Sequence, residues 1–199
     1  MALADLTLEG LVHDLNNVFQ AIAETAELLE DDPKWEEMAH KLQRCAGHGH
    51  RIAHSILERN LSTTELAPVL QNASQFCQDT LESANRTKME FCCEIEPELR
   101  LKGDEAEWER VFVNLFLNSA QAGAKKIRIC AHDHQIVVSD DGPGISLDVL
   151  PRIFEPRVST KSIISGLGLN VVKSIVEQNG GAVAAENGPA GGAVFTLSL

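Results

Sequence analysis

Apolar residues recur three and four positions apart along the first thirty positions of the chain. Only Thr25 interrupts this stripe, which consists of Leu8, Leu11, Leu15, Val18, Ile22 and Leu29. The stripe is widened on one side by Val12, Phe19 and Ala26. An apolar stripe of this width predicts an amphipathic helix that packs in a bundle.

The same spacing returns after a break at Pro33. This second stripe consists of Trp35, Met38, Leu42, Cys45, Gly49, Ile52 and Ile56, and it is flanked by Ala39, Ala46 and Ala53. Two such helices joined by a short turn predict an antiparallel hairpin. One hairpin cannot bury both stripes by itself, so we expect a homodimer in which two hairpins form a four-helix bundle.

Beyond residue 62, short strand patterns alternate with helical ones. Pro68 fits the first turn of a helix running to about Ser83, and Asp104 is a candidate N-cap for the next helix. A third helix is predicted in GLGLNVVKSIVEQNGG, and strands in KMEFCCEIE, RLKG, KKIRICAHDHQIVVSDDG, AVAAEN and AVFTLSL. This order favours a two-layer α/β sandwich. We therefore predict an α+β protein with a helical hairpin at residues 1–62 and a sandwich domain at residues 63–199.

Composition narrows the classes of partner. The 199 residues carry a formal net charge of −12, which argues against nucleic acid or an anionic membrane surface. The five cysteines are odd in number and form no C-x-x-C pair, which predicts reduced, mostly buried thiols in a cytoplasmic protein. The sequence shows no signal peptide and no apolar run of about 18 residues, so we expect no membrane segment in this chain.

Four hydrogen-bonding side chains share the outer side of the first predicted helix: His13, Asp14, Asn16 and Asn17. Asn17 lies one helical turn from His13, so the two side chains can serve a common partner. Asp14 can orient the imidazole or take its proton. Taken alone, this pattern is more typical of a solvated helix face than of a catalytic site.

The remaining histidines give less indication of a functional site. The second helix holds His40, His48, His50 and His54 without an accompanying carboxylate or cysteine pattern, which favours a polar helix face over a metal site. His132 and His134 flank a predicted strand turn, and we expect both to be exposed.

Further motifs follow in the second part of the chain. NLFLNSAQAGA places Asn114 and Asn118 on one helix face, DDGPGI follows a strand, and IFEPRVSTKS comes next. SGLGLNVVKSIVEQNGG then opens a helix at glycines, and GGAVFTLSL closes the chain. Each stretch alone also fits an ordinary helix start, a buried asparagine or a strand-ending turn. No GxxxxGK[ST] loop is present in the sequence, which excludes a P-loop enzyme.

In this order, and behind an HDLNN helix, the motifs resemble the cytoplasmic core of bacterial sensor histidine kinases over nearly the whole chain. That core is a dimerisation and histidine phosphotransfer hairpin followed by a Bergerat-type ATP-binding domain. The HDLNN, NLxxNAxxA-like and FEPxxSTK-like signatures point to the subgroup that includes nitrogen-regulation sensor kinases. The resemblance implies an ATP-dependent protein histidine kinase of two-component signal transduction.

The resemblance also assigns the ligands, which are ATP and Mg²⁺. The amide oxygen of Asn118 suits Mg²⁺, which prefers oxygen ligands. Asp140 would accept a hydrogen bond from the adenine amino group, and a helix opening at glycines suits phosphates. The full set implied for nucleotide binding is Asn114, Asn118, Asp140, Gly142, Gly144, Lys161, Gly166 and Gly168, with Lys161 as the cation of the lid.

A mechanism follows from the same resemblance. Relatives of this fold that hydrolyse ATP carry a glutamate where this chain has Asn114, and an amide cannot act as a base toward water. We therefore expect His13 to attack the γ-phosphate while Asp14 holds the other ring nitrogen. The phosphoryl group would pass to an aspartate of a response-regulator receiver domain. Asn17 matches the position that orients water to dephosphorylate that aspartate.

The lid is where the chain departs from the resemblance. The related pattern reads TTKPEGTGLGL, and this chain reads STKSIISGLGL. Ile164 is β-branched where a glycine permits positive φ, and Ile163 replaces a glutamate. We therefore expect weakened nucleotide binding. Two alternatives stay open: a histidine phosphotransfer protein with a vestigial ATP-binding domain, and a scaffold that binds ATP without transferring phosphate.

Overall fold

The computed structural model describes residues 8–30, 34–55, 63–84, 86–96, 99–156 and 168–199. The chain divides into two compact units, Met1–Leu61 and Ser62–Leu199. Residues 56–62, where the predicted domain boundary falls, lie outside the described ranges, so the boundary between residues 62 and 63 stays a prediction.

The first unit contains two helices, α1 (Leu8–Glu30) and α2 (Glu36–Ser55). The buried apolar residues described here are ones that flank the predicted stripes, namely Val12, Ala26, Ala39, Ala46 and Ala53. Gly49 of α2 lies directly against α1, because an added Cβ there would come 2.3 Å from a ring carbon of Phe19. The two helices therefore pack closely where a large side chain meets a glycine.

The central positions of the stripes remain open in the single chain. The exposed large apolar residues of this unit include Leu11, Leu15, Val18, Trp35 and Met38. Exposed apolar residues that lie together on helix faces are typical of an interaction surface. They are the surface that the predicted homodimer would bury, and the homodimer itself stays a prediction.

The second unit starts with β1 (Thr63–Glu65) and α3 (Leu66–Ser83). It continues with the following elements: β2 (Glu90–Ile95), β3 (Arg100–Lys102), α4 (Glu105–Ala122), β4 (Lys126–His132), β5 (Gln135–Asp140), a short 3₁₀ turn (Leu150–Arg152), α5 (Gly168–Gln178), β6 (Ala182–Asn187) and β7 (Ala193–Ser198). Strand β1 was not predicted; it pairs antiparallel with β3.

Five strands form the main sheet in the order β2-β4-β5-β7-β6. Strands β2 and β4 are parallel, and the other neighbours are antiparallel. Alternate residues of β4 and β7 are buried, which is the period expected of a sheet covered on one face. The predicted fold class, α+β with a two-layer α/β sandwich, is confirmed.

Helix α4 supplies the largest side chains of the core, and its ends follow the sequence signals. Trp108, Phe112 and Phe116 are almost fully buried and stack along one side of the helix. The Asp104 side chain accepts a hydrogen bond from the Ala106 amide at 2.8 Å, as predicted for an N-cap. The helix ends at Gly123, whose φ of 93° favours glycine. The buried aromatic side chains and the two capped ends hold α4 in place, and α4 carries Asn114 and Asn118.

Two expectations about side-chain burial were wrong. Of the five cysteines only Cys77 is buried, and this burial raises the pKa of its thiol to about 11; Cys45 and Cys93 are exposed. His48 is buried rather than placed on a polar helix face. The spacing of apolar residues alone does not reveal the burial of this polar side chain.

The expected exposure of the two histidines at the β4–β5 turn is confirmed. His132 and His134 are exposed at the turn between β4 and β5. Among the described residues, no group of three or more His, Cys, Asp or Glu side chains could hold a metal ion. None of the described helices has the length and apolar character needed to cross a membrane.

Candidate functional site

The carboxylate of Asp140, at the end of β5, is held by three donors from three parts of the second unit. Its Oδ1 accepts hydrogen bonds from the Gly142 amide at 2.9 Å and from the Ala193 amide at 3.1 Å. Its Oδ2 accepts from the Ser119 hydroxyl at 2.7 Å. The side chain is therefore fixed in one orientation. A carboxylate held in this way can accept one further donor from a ligand.

Two glycines shape the turn that follows Asp140. A Cβ at Gly142 would come 3.0 Å from Asp140 Oδ1, and a Cβ at Gly144 would come 2.7 Å from Asn187 Oδ1. Gly144 also has φ of 80°, a conformation that side-chain-bearing residues rarely adopt. The side chain of Asn187 fastens this turn to β6, because it accepts from the Ile145 amide at 2.6 Å and donates to the Ile145 carbonyl at 2.8 Å.

Asp141 closes the opposite side of the turn. Its Oδ1 accepts hydrogen bonds from the amides of Lys125 and Lys126, at 2.7 and 2.9 Å. These two bonds hold the pKa of the Asp141 carboxyl below its usual range. Asp141 thus ties the end of β5 to the start of β4 and leaves Asp140 as the acidic side chain directed at the site.

The N-terminus of α5 lies against the two asparagines of α4. A Cβ at Gly168 would come 2.8 Å from Asn114 Oδ1 and 3.7 Å from Asn118 Nδ2. Asn114 Nδ2 donates to the Arg110 carbonyl at 2.7 Å, which leaves its oxygen toward Gly168. The structure therefore brings together two amide side chains and the unsatisfied N–H groups that open a helix.

Asn118 carries a polar atom without a protein partner. Within the described part of the chain, its Nδ2 is buried and makes no hydrogen bond. A buried amide left unsatisfied is costly, and this cost is commonly met where a ligand completes the site. The amide offers an oxygen as well as a nitrogen, and an amide oxygen beside a phosphate site suits Mg²⁺. The unsatisfied nitrogen is a donor that suits a phosphate oxygen, and the amide oxygen of the same side chain fits one position around a magnesium ion.

The lid residues Lys161 and Gly166 lie outside the described residues, as do Ile163 and Ile164. The prediction that the two isoleucines weaken nucleotide binding therefore stays a prediction. The described residues on either side of this segment are joined, because Asn170 Nδ2 of α5 donates to the Phe154 carbonyl at 3.1 Å.

His13, Asp14 and Asn17 belong to the first unit and are exposed on α1. Asn17 Nδ2 lies 3.3 Å from His13 Nδ1, and Asp14 Oδ1 lies 3.7 Å from the same nitrogen. Three-quarters of the His13 side chain is accessible. Asn16 departs from the prediction of an entirely solvated face, because it is half-buried and its Oδ1 is covered without a described partner.

Three residues that hold the site were not predicted from the sequence: Ser119, Asn187 and Ala193. Ser119 immediately follows Asn118, so its position on the inner face of α4 could have been noticed. No local sequence pattern marks Asn187 or Ala193 as part of the site. They come close to the end of β5 because β6 pairs with β7 and β7 pairs with β5.

Comparisons with known proteins agree with this geometry. A family model described as histidine kinase-, DNA gyrase B- and HSP90-like ATPase matches residues 103–199. The chain is 29% identical to the sensor histidine kinase ZraS of Klebsiella oxytoca, over 96% of this chain and 44% of that protein. It is 28% identical to the sensor protein FixL of Bradyrhizobium diazoefficiens, over 96% of this chain and 42% of that protein.

Solved structures show the same architecture. The catalytic domain of histidine kinase ThkA is 26% identical with a TM-score of 0.60, covering 72% of this chain and 95% of that one. Full-length ShkA, solved in complex with AMPPNP, is 21% identical with a TM-score of 0.58, covering 96% of this chain and 44% of that one. The chain thus spans less than half the length of the curated relatives described above. The nitrogen-regulation subgroup stays a prediction.

Proposed function

We propose that this protein is a histidine kinase core, because residues 103–199 match the model of the histidine kinase-, DNA gyrase B- and HSP90-like ATPases and the chain is similar to a sensor histidine kinase along 96% of its length. In this function it binds ATP in the second unit and transfers the γ-phosphate to His13 in the first. The phosphoryl group then passes to an aspartate of a response regulator in two-component signal transduction.

The observation that best supports a nucleotide site is the close approach of the α5 N-terminus to Asn114 and Asn118 of α4. Gly168 opens α5 against Asn114 and Asn118, where any larger residue would fill the space between helix terminus and amide. Helix N-termini attract phosphates through free N–H groups and the helix dipole. Asp140 is hydrogen-bonded to Ser119, the residue that follows Asn118 on α4, and its carboxylate can accept from a base. The site thus combines a helix terminus suited to phosphates with an acceptor suited to a base, which are the two features that a nucleotide requires.

Asn118 is the residue of this set that would hold Mg²⁺. When bound, the ion supplies neutralisation of charge on the phosphate oxygens. The other residues bind and orient the nucleotide. Asn114 carries an amide where a hydrolase needs a base, and it is engaged with the Arg110 carbonyl, so it does not activate water. The site is therefore suited to present a γ-phosphate to a separate nucleophile rather than to hydrolyse ATP.

His13 fits the role of that nucleophile. Its Nδ1 faces Asp14 and Asn17, which leaves Nε2 as the nitrogen available for attack. Attack through Nε2 needs the tautomer that carries its proton on Nδ1, and the Asp14 carboxylate is the acceptor that stabilises this tautomer. In that tautomer Nδ1 no longer accepts from Asn17. The Asn17 amide is then free to orient a water molecule on a bound receiver domain, which is the phosphatase role assigned to it by position.

The proposed partners follow from the same function. The exposed stripe residues of α1 and α2 would form a homodimeric four-helix bundle, and the exposed His13 face would receive the receiver domain of a response regulator. We place this activity in the cytoplasm, where receiver domains and ATP are both available.

Labelling with γ-³²P-ATP tests the proposal. A kinase core incubated with Mg²⁺ should retain label that is stable to alkali and released by acid, as expected for phosphohistidine. Binding of ATP without such label would indicate a scaffold that does not transfer phosphate. Absence of both binding and label would refute the nucleotide site itself.

A further inference from the structure

The Asp140 carboxylate is nearly saturated by the protein. A carboxylate offers about four lone-pair positions, two on each oxygen. Two backbone amides fill both positions of Oδ1, and the Ser119 hydroxyl fills one position of Oδ2. One position therefore remains, on Oδ2. Asp140 is only half-buried, so the residue is not closed off from a ligand.

Ser119 determines which acceptor position of the Asp140 carboxylate stays open. Ser119 is only 3% exposed, so water does not compete for its hydroxyl. The bond of 2.7 Å to an ionised acceptor is of the short, charge-assisted kind. The two backbone bonds meet at Oδ1 alone and leave Oδ2 with both positions open. The hydroxyl closes one of them, from the α4 side, beside Asn118.

We propose that Ser119 is a positioning residue for base recognition: its hydroxyl leaves the Asp140 carboxylate with a single acceptor position, directed at the exocyclic 6-amino group of a purine. This inference rests on the proposed function, because it needs a nucleotide in the site. A 6-amino group donates to that position. A 6-oxo group or a bare C–H at the same place cannot, and a 6-oxo group would meet the carboxylate with its own lone pairs.

The test uses the full chain with Mg²⁺ and two nucleotides, ATP and purine riboside 5′-triphosphate, which carries hydrogen in place of the 6-amino group. Calorimetric titration should show that Ser119→Ala lowers the affinity for ATP about fivefold, the size of one hydrogen bond of roughly 1 kcal/mol. Its affinity for the analogue should change by less than about twofold, because the analogue makes no bond to Asp140.

Variants at Ser119 separate positioning from simple support of the fold. Ser119→Thr keeps the hydroxyl and should keep the preference for ATP over the analogue. If Ser119→Ala does not fold, Ser119→Cys keeps the volume but offers only a weak thiol donor, and it should show the same selective loss. The matched control is Ser139→Ala, which removes a hydroxyl one residue before Asp140, on the opposite face of β5, and should change neither affinity.

Three results would overturn the inference. Equal losses for both nucleotides would mean that Ser119 supports the pocket without directing Asp140. An increase in ATP affinity would mean that the hydroxyl competes with the base for Oδ2. A wild-type chain that binds the analogue as tightly as ATP would mean that Asp140 does not read the amino group. A wild-type chain that binds neither nucleotide would instead refute the proposed function, and the inference with it.

Discussion

Gly168 and Asn114 lie so close that a Cβ on the glycine would come 2.8 Å from the asparagine Oδ1. Helix α5 can approach α4 to this distance only because its first residue has no side chain. The approach places the N–H groups at the start of α5 beside the amides of Asn114 and Asn118. The same contact explains why the glycine that opens α5 cannot be exchanged without cost to the site.

Gly168→Ala should therefore weaken ATP binding about tenfold, or about 1.4 kcal/mol, because the methyl group pushes the helix terminus away from the asparagines. Calorimetric titration with Mg²⁺-ATP measures the change. Gly47→Ala adds the same methyl group where the nearest atom is an ordinary 3.6 Å away, and its ATP affinity should match wild type. Unchanged affinity in Gly168→Ala would contradict the placement of phosphates at this terminus.

Two glycines of α2, Gly47 and Gly49, should respond in opposite ways to substitution by alanine. Gly49→Ala should destabilise the first unit by roughly 1–3 kcal/mol, because its Cβ would overlap the Phe19 ring. Gly47→Ala should stabilise it by about 0.5–1 kcal/mol, since alanine is the better helix former and the added methyl group has room. Thermal unfolding followed by circular dichroism compares the two variants. Destabilisation of both to the same extent would mean that the Phe19 contact is not the cause.

The exposed stripe of α1 predicts a homodimer. Leu15→Asp should produce a monomer at micromolar concentration, because each leucine that a dimer buries contributes roughly 1.5–3 kcal/mol and a buried carboxylate would add a penalty. Light scattering coupled to size exclusion measures the mass. Leu147→Asp introduces the same change at an exposed leucine outside the helical unit and should leave the dimer intact. A wild-type chain that runs as a monomer would refute the bundle.

The hydrogen bonds of Asp141 should make a contribution to the folding stability that is lost in acid. Its pKa is lowered in the folded chain by the amides of Lys126 and Lys125. The stabilisation is therefore complete above the ordinary aspartate value of about 3.9 and is lost as the pH falls through the lower folded value. Asp141→Asn keeps an acceptor oxygen but cannot titrate, so its unfolding free energy should fall less steeply below about pH 4 than that of wild type. Asp133→Asn controls for the removal of one exposed carboxylate. If the unfolding free energy of Asp141→Asn fell with pH as steeply as that of wild type, the stabilising role of Asp141 would be contradicted.

Much of this fold could be predicted from the sequence, because its elements carry strong local signals. The Asp104 cap, the glycine after α4 and the alternation along β4 each act over a few residues. The pattern in α1 and α2 was also correct, but it did not show which part of each stripe is buried within one chain. The flanking Val12 and Ala39 are buried, whereas the central Leu15 and Met38 stay exposed, since small flanking residues let the helices approach.

The site was predictable only in part. Asp140, Gly142 and Gly144 follow one another, so their shared turn is a local property. Besides the local Gly142 amide, the donors that hold Asp140 come from α4, 21 residues before it, and from the first residue of β7, 53 residues after it along the chain. Such contacts depend on strand order, and the parallel pairing of β2 with β4 among antiparallel neighbours has no signature in either strand alone.

Transfer of phosphate to His13 is the central claim, and one labelling experiment tests it directly. Wild type, His13→Gln and His50→Gln are incubated with γ-³²P-ATP and Mg²⁺, and acid-labile, alkali-stable label on the chain is measured. His13 and His50 are both exposed on helices of the first unit, so neither substitution should disturb the fold. The account predicts full labelling of wild type and His50→Gln and none of His13→Gln. Label retained by His13→Gln, or lost only in His50→Gln, would contradict it.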